Sequence, residues 1–255
     1  MQSFSSEGVE IAFIDEAPDG GVRMPPVLLI HGFASTHRVN WVNTGWLRFL
    51  RGHGHRVIAL DNRGHGASAK PHQPEAYASQ IMAQDCLRLL DHLEIATADV
   101  IGYSMGARIG AFLALAEPGR VRRLVLGGLG IHLVRGAGLS PSIAEAMEAP
   151  ALASLTDPVQ RMFRAFADAN KSDLVALAAC IRGSRQVLGL AEAARLLLPV
   201  LVAVGTADDV AGDAHALAAL LPGAQALDIV GRDHNRAVGD AGFKAAVQEF
   251  LAGSA

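Results

Sequence analysis

The sequence predicts an α/β fold in which a mostly parallel sheet is covered by helices and interrupted by one all-helical block. Three observations predict it. Up to Gly130, short continuous apolar runs alternate with longer helix-like stretches, the pattern of strands buried on both faces beneath crossover helices. From Ile131 to Leu198 that rhythm stops and only helical periodicities remain. It then resumes with two more strand-like runs and a closing helix.

Taken in order, Val9 to Ile14 alternates apolar and polar residues and reads as an edge strand. Pro26 to Ile30, Arg56 to Leu60, Asp99 to Gly102 and Arg123 to Leu126 are apolar enough to read as strands covered on both faces. Between them the spacing predicts helices over Trp41 to Arg51, Tyr77 to Leu93 and Met105 to Ala116, the last stopped by Glu117-Pro118-Gly119. Inside the helical block, Asp157-Pro158 with Gln160 reads as an N-cap, a proline in the first helical position and a capping-box partner. Val159, Met162, Phe163 and Phe166 follow at helical spacing, and Leu174, Leu177, Ala178 and Ile181 form a second stripe. Pro199 to Val204 and Ala226 to Val230 read as strands, and Phe243 to Leu251 as the closing helix. The expected division is a core of residues 1–130 and 199–255, with 131–198 as an inserted helical unit.

Composition narrows the function classes. At 255 residues the chain is long enough to bury a full core without disulfides or a structural metal. Its longest apolar runs, such as Leu196 to Val204, are far shorter than the ~20 residues a spanning helix needs, so no membrane segment is expected. Net charge is −3 with both signs mixed along the chain, which argues against a nucleic-acid partner. The start, Met1 to Glu7, lacks the basic end and apolar stretch of a signal peptide, and Cys86 and Cys180 read as buried free thiols. Cytoplasm is the expected compartment.

Chemistry concentrates at Gly102-Tyr103-Ser104-Met105-Gly106, a G-x-S-x-G between an apolar strand and an apolar helix. Such a turn exposes the serine hydroxyl at the tip of the strand and aims the N–H groups of a helix start at it. A serine hydroxyl needs a base. Of the ten histidines, His234 lies between the last strand and the closing helix, whereas His53 and His55 precede a strand and His215 sits in a helical stretch. His53 and His55 are therefore given surface or helix-end roles, and His215 a solvated one. The acid is expected after the strand ending at Val204-Gly205, where Asp208 and Asp209 compete. His31-Gly32-Phe33 follows a strand at the same sheet end, so the N–H groups of Phe33 and Met105 are the expected oxyanion donors, with His31 shaping the loop. No metal-ligand spacing and no dinucleotide fingerprint are present.

Together His31-Gly32, Asp61-Asn62-Arg63-Gly64-His65-Gly66-Ala67-Ser68, the elbow at Ser104, Asp208 and His234 resemble the α/β-hydrolase superfamily over most of the chain. Asn40-Trp41-Val42 with Gly45-Trp46, and Asp233-His234 leading into Arg236 to Asp240, further resemble small bacterial carboxylesterases. The resemblance implies a mostly parallel eight-stranded sheet, an Asp61–Ser68 loop that is architectural, and a helical block serving as lid. It also implies Asp208 as the acid through its G-x-x-D spacing, with Asp209 left to cap the next helix, and no cofactor. The family's proline shortly after the acid is missing from Val210-Ala211-Gly212. The activity implied is hydrolysis of a small-molecule ester through an acyl-enzyme. C–C bond, lactone or thioester hydrolysis is the alternative, and a slow-turnover receptor a more distant one. Few charges in 131–198, and Met147, Met162, Phe163 and Phe166 as candidate pocket residues, lead to the expectation of neutral short-to-medium acyl chains.

Overall fold

The computed structural model describes residues 1–136 and 139–253. Eight strands form one mixed, mostly parallel sheet in the order β1-β2-β4-β3-β5-β6-β7-β8. They are β1 (Gln2–Ser6), β2 (Val9–Glu16), β3 (Val27–Ile30), β4 (Val57–Leu60), β5 (Ala98–Tyr103), β6 (Val121–Gly127), β7 (Val200–Gly205) and β8 (Gln225–Ile229). Only the β1–β2 and β2–β4 pairs are antiparallel. The helices are α1 (Trp46–Gly52), α2 (Ser79–His92), α3 (Met105–Ala116), α4 (His132–Arg135), α5 (Ser142–Glu148), α6 (Pro158–Ala169), α7 (Leu174–Gly183), α8 (Leu190–Ala193), α9 (Ala214–Ala218), α10 (His234–Ala237) and α11 (Ala241–Ala252).

Strand periodicity divides the core. Leu28, Ile30, Ile58 and Leu60 pack into one apolar cluster with residues of α2, α3 and the 131–198 block. Their neighbours Val27, Leu29, Val57 and Ala59 face the opposite way, into a second cluster with Trp46 and Leu50 of α1 and Phe243 and Val247 of α11. A one-residue slip of β3 would exchange these sets, so both layers hold the register. Both cysteines are free and buried.

Differences from the expected elements have local causes. The strand β1 has Phe4 as its one large apolar side chain, and it is held by a hairpin whose Glu7 and Gly8 both have positive φ. The helix expected over Trp41 to Arg51 is split into a single π-helical turn, Arg38–Val42, and α1, with Gly45 at φ 83° between them. Asp157 caps α6 by accepting from the Gln160 N–H at 2.8 Å, but the Gln160 amide donates to the Ser142 carbonyl instead of closing a capping box. Among the described residues, 131–198 contains α4 to α8 and no strand. No helix of the described residues is long and apolar enough to cross a membrane.

Candidate active site

Parallel register brings β3, β5, β6 and β7 to a common end, and the loops leaving that end meet around Ser104. Ser104 has φ 55° and ψ −113°, a strained conformation for a non-glycine residue. It is held by its N–H donating to the Gly127 carbonyl at 2.7 Å and its own carbonyl accepting from the Arg108 N–H. The flanking glycines are required sterically. A Cβ at Gly102 would lie 2.3 Å from the Gly106 oxygen, and one at Gly106 would lie 2.0 Å from the Ile30 oxygen. The elbow therefore presses α3 against β3 as closely as two backbones allow.

The imidazole of His234 lies between serine and acid, with Nε2 3.0 Å from Ser104 Oγ and Nδ1 2.7 Å from Asp208 Oδ2. An ionised carboxylate only accepts, so in the neutral ring the proton sits on Nδ1 and Nε2 is free to accept from the serine hydroxyl. The Asp208 side chain is fully buried. Burial alone would raise its carboxyl, but the hydrogen bond and charge of His234 and the N–H groups of Val210 and Ala211 outweigh it and hold it below the ordinary carboxylate value. His234 opens α10, whose cap Asp233 accepts from the Asn235 and Arg236 N–H groups. The Tyr103 hydroxyl donates to the His234 carbonyl at 2.5 Å, and burial, with Asp208 and Asp233 nearby, keeps that phenol well above its ordinary value. This contact ties Tyr103 to the backbone of His234, a link that sequence reasoning passed over when it took Tyr103 only as part of the elbow.

Asp209 is exposed, and it does not cap the following helix: Asp213 does, accepting from the Ala216 N–H. The cap belongs to the residue immediately before α9, and four positions separate Asp209 from it. His53 is the exposed cap at the end of α1, and His215 is exposed beside Asp228. His55 is buried rather than superficial, hydrogen-bonded to Pro25 and Gln248 away from the site.

The 31–33 loop abuts the serine, since a Cβ at Gly32 would lie 3.4 Å from Ser104 Cβ. The Gly32 N–H is fixed by Asn40 Oδ1 at 3.0 Å. Among the described residues neither the Phe33 nor the Met105 N–H donates to a protein acceptor; Met105 is the first residue of α3, where the helix supplies none. His31 accepts from the Asn62 N–H on Nε2, so its proton sits on Nδ1 and goes to the Gly32 carbonyl. Burial, ahead of the opposing pull of Asp61, lowers its pKa and keeps it neutral.

The Asp61–Ser68 loop turns its polar groups inward. Asp61 accepts from His37 and from the Ala67 N–H, Arg63 pairs with Asp85 at 2.7 Å through two nitrogens, and Ser68 links the Asp61 carbonyl to the Ala12 N–H. None of these side chains lines a cavity that reaches Ser104.

Among the described residues, two cavities reach Ser104. The first, of about 590 Å³, lies over α3 and is lined by Met105, Arg108, Leu139, Ile181 and Arg185. The second, of about 780 Å³, lies on the His234 side and is lined by Asn40, Tyr103, Phe163, Phe166, Asn235 and Val238. Phe33 and Ser104 belong to both. Of the side chains expected to line a pocket, Phe163 and Phe166 do so. Met147 does not: α5 buries it with Ile143 and Ala144 in the core cluster, and it lines neither cavity. Met162 is turned outward because α6 buries the face carrying Phe163 and Ala167, and its sulfur lies 3.6 Å from Asn235 Nδ2 at the cavity rim. Arg108, the one charge in an otherwise apolar helix, was the available signal for the first cavity. Among the described residues no group of three or more His, Cys, Asp or Glu side chains is arranged to hold a metal ion.

Comparison with known proteins agrees with this frame. Residues 25–179 match the family model described as the alpha/beta hydrolase fold. A non-heme chloroperoxidase of Streptomyces lividans is 36% identical over 126 residues, 48% of this chain and 42% of that protein. A 2-hydroxymuconate semialdehyde hydrolase of a Pseudomonas species is 36% identical over 124 residues, 49% of this chain and 41% of that protein. The matched stretch thus spans less than half the length of these curated relatives. Among solved structures, a hydrolase from Pseudomonas aeruginosa superposes with a TM-score of 0.77 at 29% identity, covering 99% of this chain and 98% of that one.

Proposed function

The chain belongs to the alpha/beta hydrolase fold family, and from that premise we propose that it is a serine carboxylesterase acting through an acyl-enzyme intermediate. One observation carries the reading: the continuous hydrogen-bonded chain Ser104 Oγ, His234 Nε2, His234 Nδ1, Asp208 Oδ2, at 3.0 and 2.7 Å. His234 takes the Ser104 proton as Oγ attacks the ester carbonyl, and Asp208 holds the tautomer and stabilises the imidazolium. The developing oxyanion turns to the Phe33 and Met105 N–H groups, each worth about 3 kcal/mol to the transition state. His234 then gives the proton to the leaving alcohol, and water releases the acyl group by the same steps in reverse. In this reading the 131–198 block is the lid, supplying Phe163 and Phe166 on one side of the serine and Ile181 and Arg185 on the other.

A fluorophosphonate probe tests the nucleophile. It should add one covalent mass to the peptide carrying Ser104 and none in Ser104→Ala, and Ser104→Ala should lose ester turnover. Full labelling of the alanine variant would overturn the assignment. The similarity to a 2-hydroxymuconate semialdehyde hydrolase over half the chain makes C–C bond hydrolysis the second reading. Rapid cleavage of a vinylogous diketone, with simple esters barely turned over, would favour it.

A further inference from the structure

Proton bookkeeping decides which half of an ester enters which cavity. His234 must return its proton to the leaving oxygen, so the alcohol half lies on the side that His234 lines, beneath Phe163 and Phe166. The acyl half is left with the cavity over α3. Two arginines line that cavity. Arg108 reaches it from one turn beyond Ser104 on α3, and Arg185 from just after α7.

Neither arginine has a carboxylate partner within 4.0 Å among the described residues, and the residues outside that description, Ala137, Gly138, Ser254 and Ala255, have no acidic side chain. Arg108 is half-buried and Arg185 exposed, and of the fully buried arginines Arg63 pairs with Asp85 and Arg164 with Asp168, whereas Arg123 donates to the Gly253 carbonyl. Arg108 donates to the Gln186 and His132 carbonyls, and Arg185 to the Leu139 carbonyl. Each guanidinium carries five N–H donors, so most remain unused. Burial, with Arg185 beside it, brings Arg108 down to about 10, which still leaves it cationic at neutral pH. Each arginine tethers a loop carbonyl, but both also line the same space, where two cations repel each other unless an anion lies between.

We propose that the acyl group of the substrate ends in a carboxylate, bound by Arg108 and Arg185, so that the enzyme cleaves half-esters of short dicarboxylic acids. The proposal rests on the serine esterase reading above and replaces the neutral acyl chain expected from the sequence. That expectation took 131–198 as short of charge, although Arg185 lies within it, and left out Arg108, which lies before it. In the reaction the acyl carbon bonds to Ser104 Oγ while the alcohol leaves with the serine proton. Water then cleaves the acyl-enzyme, giving the free dicarboxylate and restoring Ser104. Arg108 lies in the first turn of α3, roughly 5 Å along the axis from its start beside Ser104, so the spacer between ester carbonyl and carboxylate is short, roughly two to four methylenes.

The test compares monoethyl glutarate with ethyl pentanoate, which has the same acyl length without the terminal charge, by proton release at low ionic strength. The expected kcat/KM is about tenfold or more higher for the half-ester, with the preference shrinking in Arg185→Gln and at high salt. If ethyl pentanoate is hydrolysed as well as the half-ester, the anion subsite is overturned and the esterase reading stands. If neither is hydrolysed, the esterase reading fails and binding alone decides the subsite. Ser104→Ala protein titrated with glutarate should then bind it, with affinity lower by about tenfold in the Ser104→Ala, Arg185→Gln double variant. Equal affinity in the two overturns the proposal.

Discussion

In Asp208→Asn the side-chain amide can sit two ways round, and the structure sets the cost of each. Asp208 Oδ1 accepts from the Val210 and Ala211 N–H groups at 2.9 and 3.0 Å, while Oδ2 faces His234 Nδ1. If the amide oxygen keeps the two backbone bonds, its NH2 meets Nδ1. The imidazole must then carry its proton on Nε2, where it can no longer accept from Ser104. If the amide turns over, the useful tautomer returns but the NH2 is aimed at two N–H donors. Losing two such bonds at ~1–3 kcal/mol each disfavours that orientation by about 2–6 kcal/mol. The productive arrangement is therefore held by roughly one molecule in 30 to one in 20,000, and kcat should fall by a factor in that range, centred near 10³. The assay is ester turnover normalised by fluorophosphonate titration of Ser104. Asp209→Asn is the control: its side chain is exposed, and activity should stay within about twofold, as for a surface change. The reasoning is wrong if Asp208→Asn keeps more than about a tenth of kcat, or if Asp209→Asn suffers the larger loss.

Gly106→Ala forces a methyl to within 2.0 Å of the Ile30 oxygen and 2.7 Å of the His31 oxygen. It should destabilise by about 3 kcal/mol and, by displacing Phe33, lower kcat about 100-fold; an unchanged melting temperature would contradict the contact. Burial, with His31 nearby, pulls the His65 pKa down to about 3. The folded state thus binds that proton far more weakly than the unfolded chain, so stability is full above ~6.5 and falls by ~1.4 kcal/mol per pH unit towards pH 3. His65→Gln should flatten that slope in denaturant titrations at pH 7.5, 6 and 5 (about one proton's worth), and parallel slopes would refute it. Phe166 lines the His234-side cavity, so Phe166→Ala should lower kcat/KM for butyl relative to methyl esters of one acid by about three- to tenfold. A shift confined to acyl length would mean that the two cavities are assigned the wrong way round.

Much of this architecture was readable from the chain because its signals are local. Val27 to Ile30 and Val200 to Gly205 are apolar on every residue and fully buried in the sheet, and α3 spans the stretch that its spacing predicts, to the residue. The elbow was legible because its glycines answer backbone contacts that any sequence at that turn must respect. What stayed hidden depends on partners distant in sequence. The strand β1 owes its pairing to β2 rather than to apolar character. His55 is buried because Pro25 and Gln248 receive it. Met147 and Phe163 look alike on a helical wheel, and only the packing of α5 and α6 decides which one meets the cavity. The Tyr103 hydroxyl reaches His234 across 131 positions of chain, a distance over which no periodicity operates.

The helical block leaves from β6 and returns at β7, which are adjacent strands paired from Leu124↔Val200 to Gly127↔Ala203. Because the two strands are parallel, its ends are anchored at opposite ends of neighbouring strands, and its length is almost irrelevant to the sheet, since doubling such an excursion costs only ~0.6 kcal/mol in closure entropy. Natural variation or a laboratory graft can therefore exchange the whole stretch as a cassette. Doing so would redraw the walls carrying Phe166 and Arg185 while leaving Ser104, Asp208 and His234, all outside it, on their original supports.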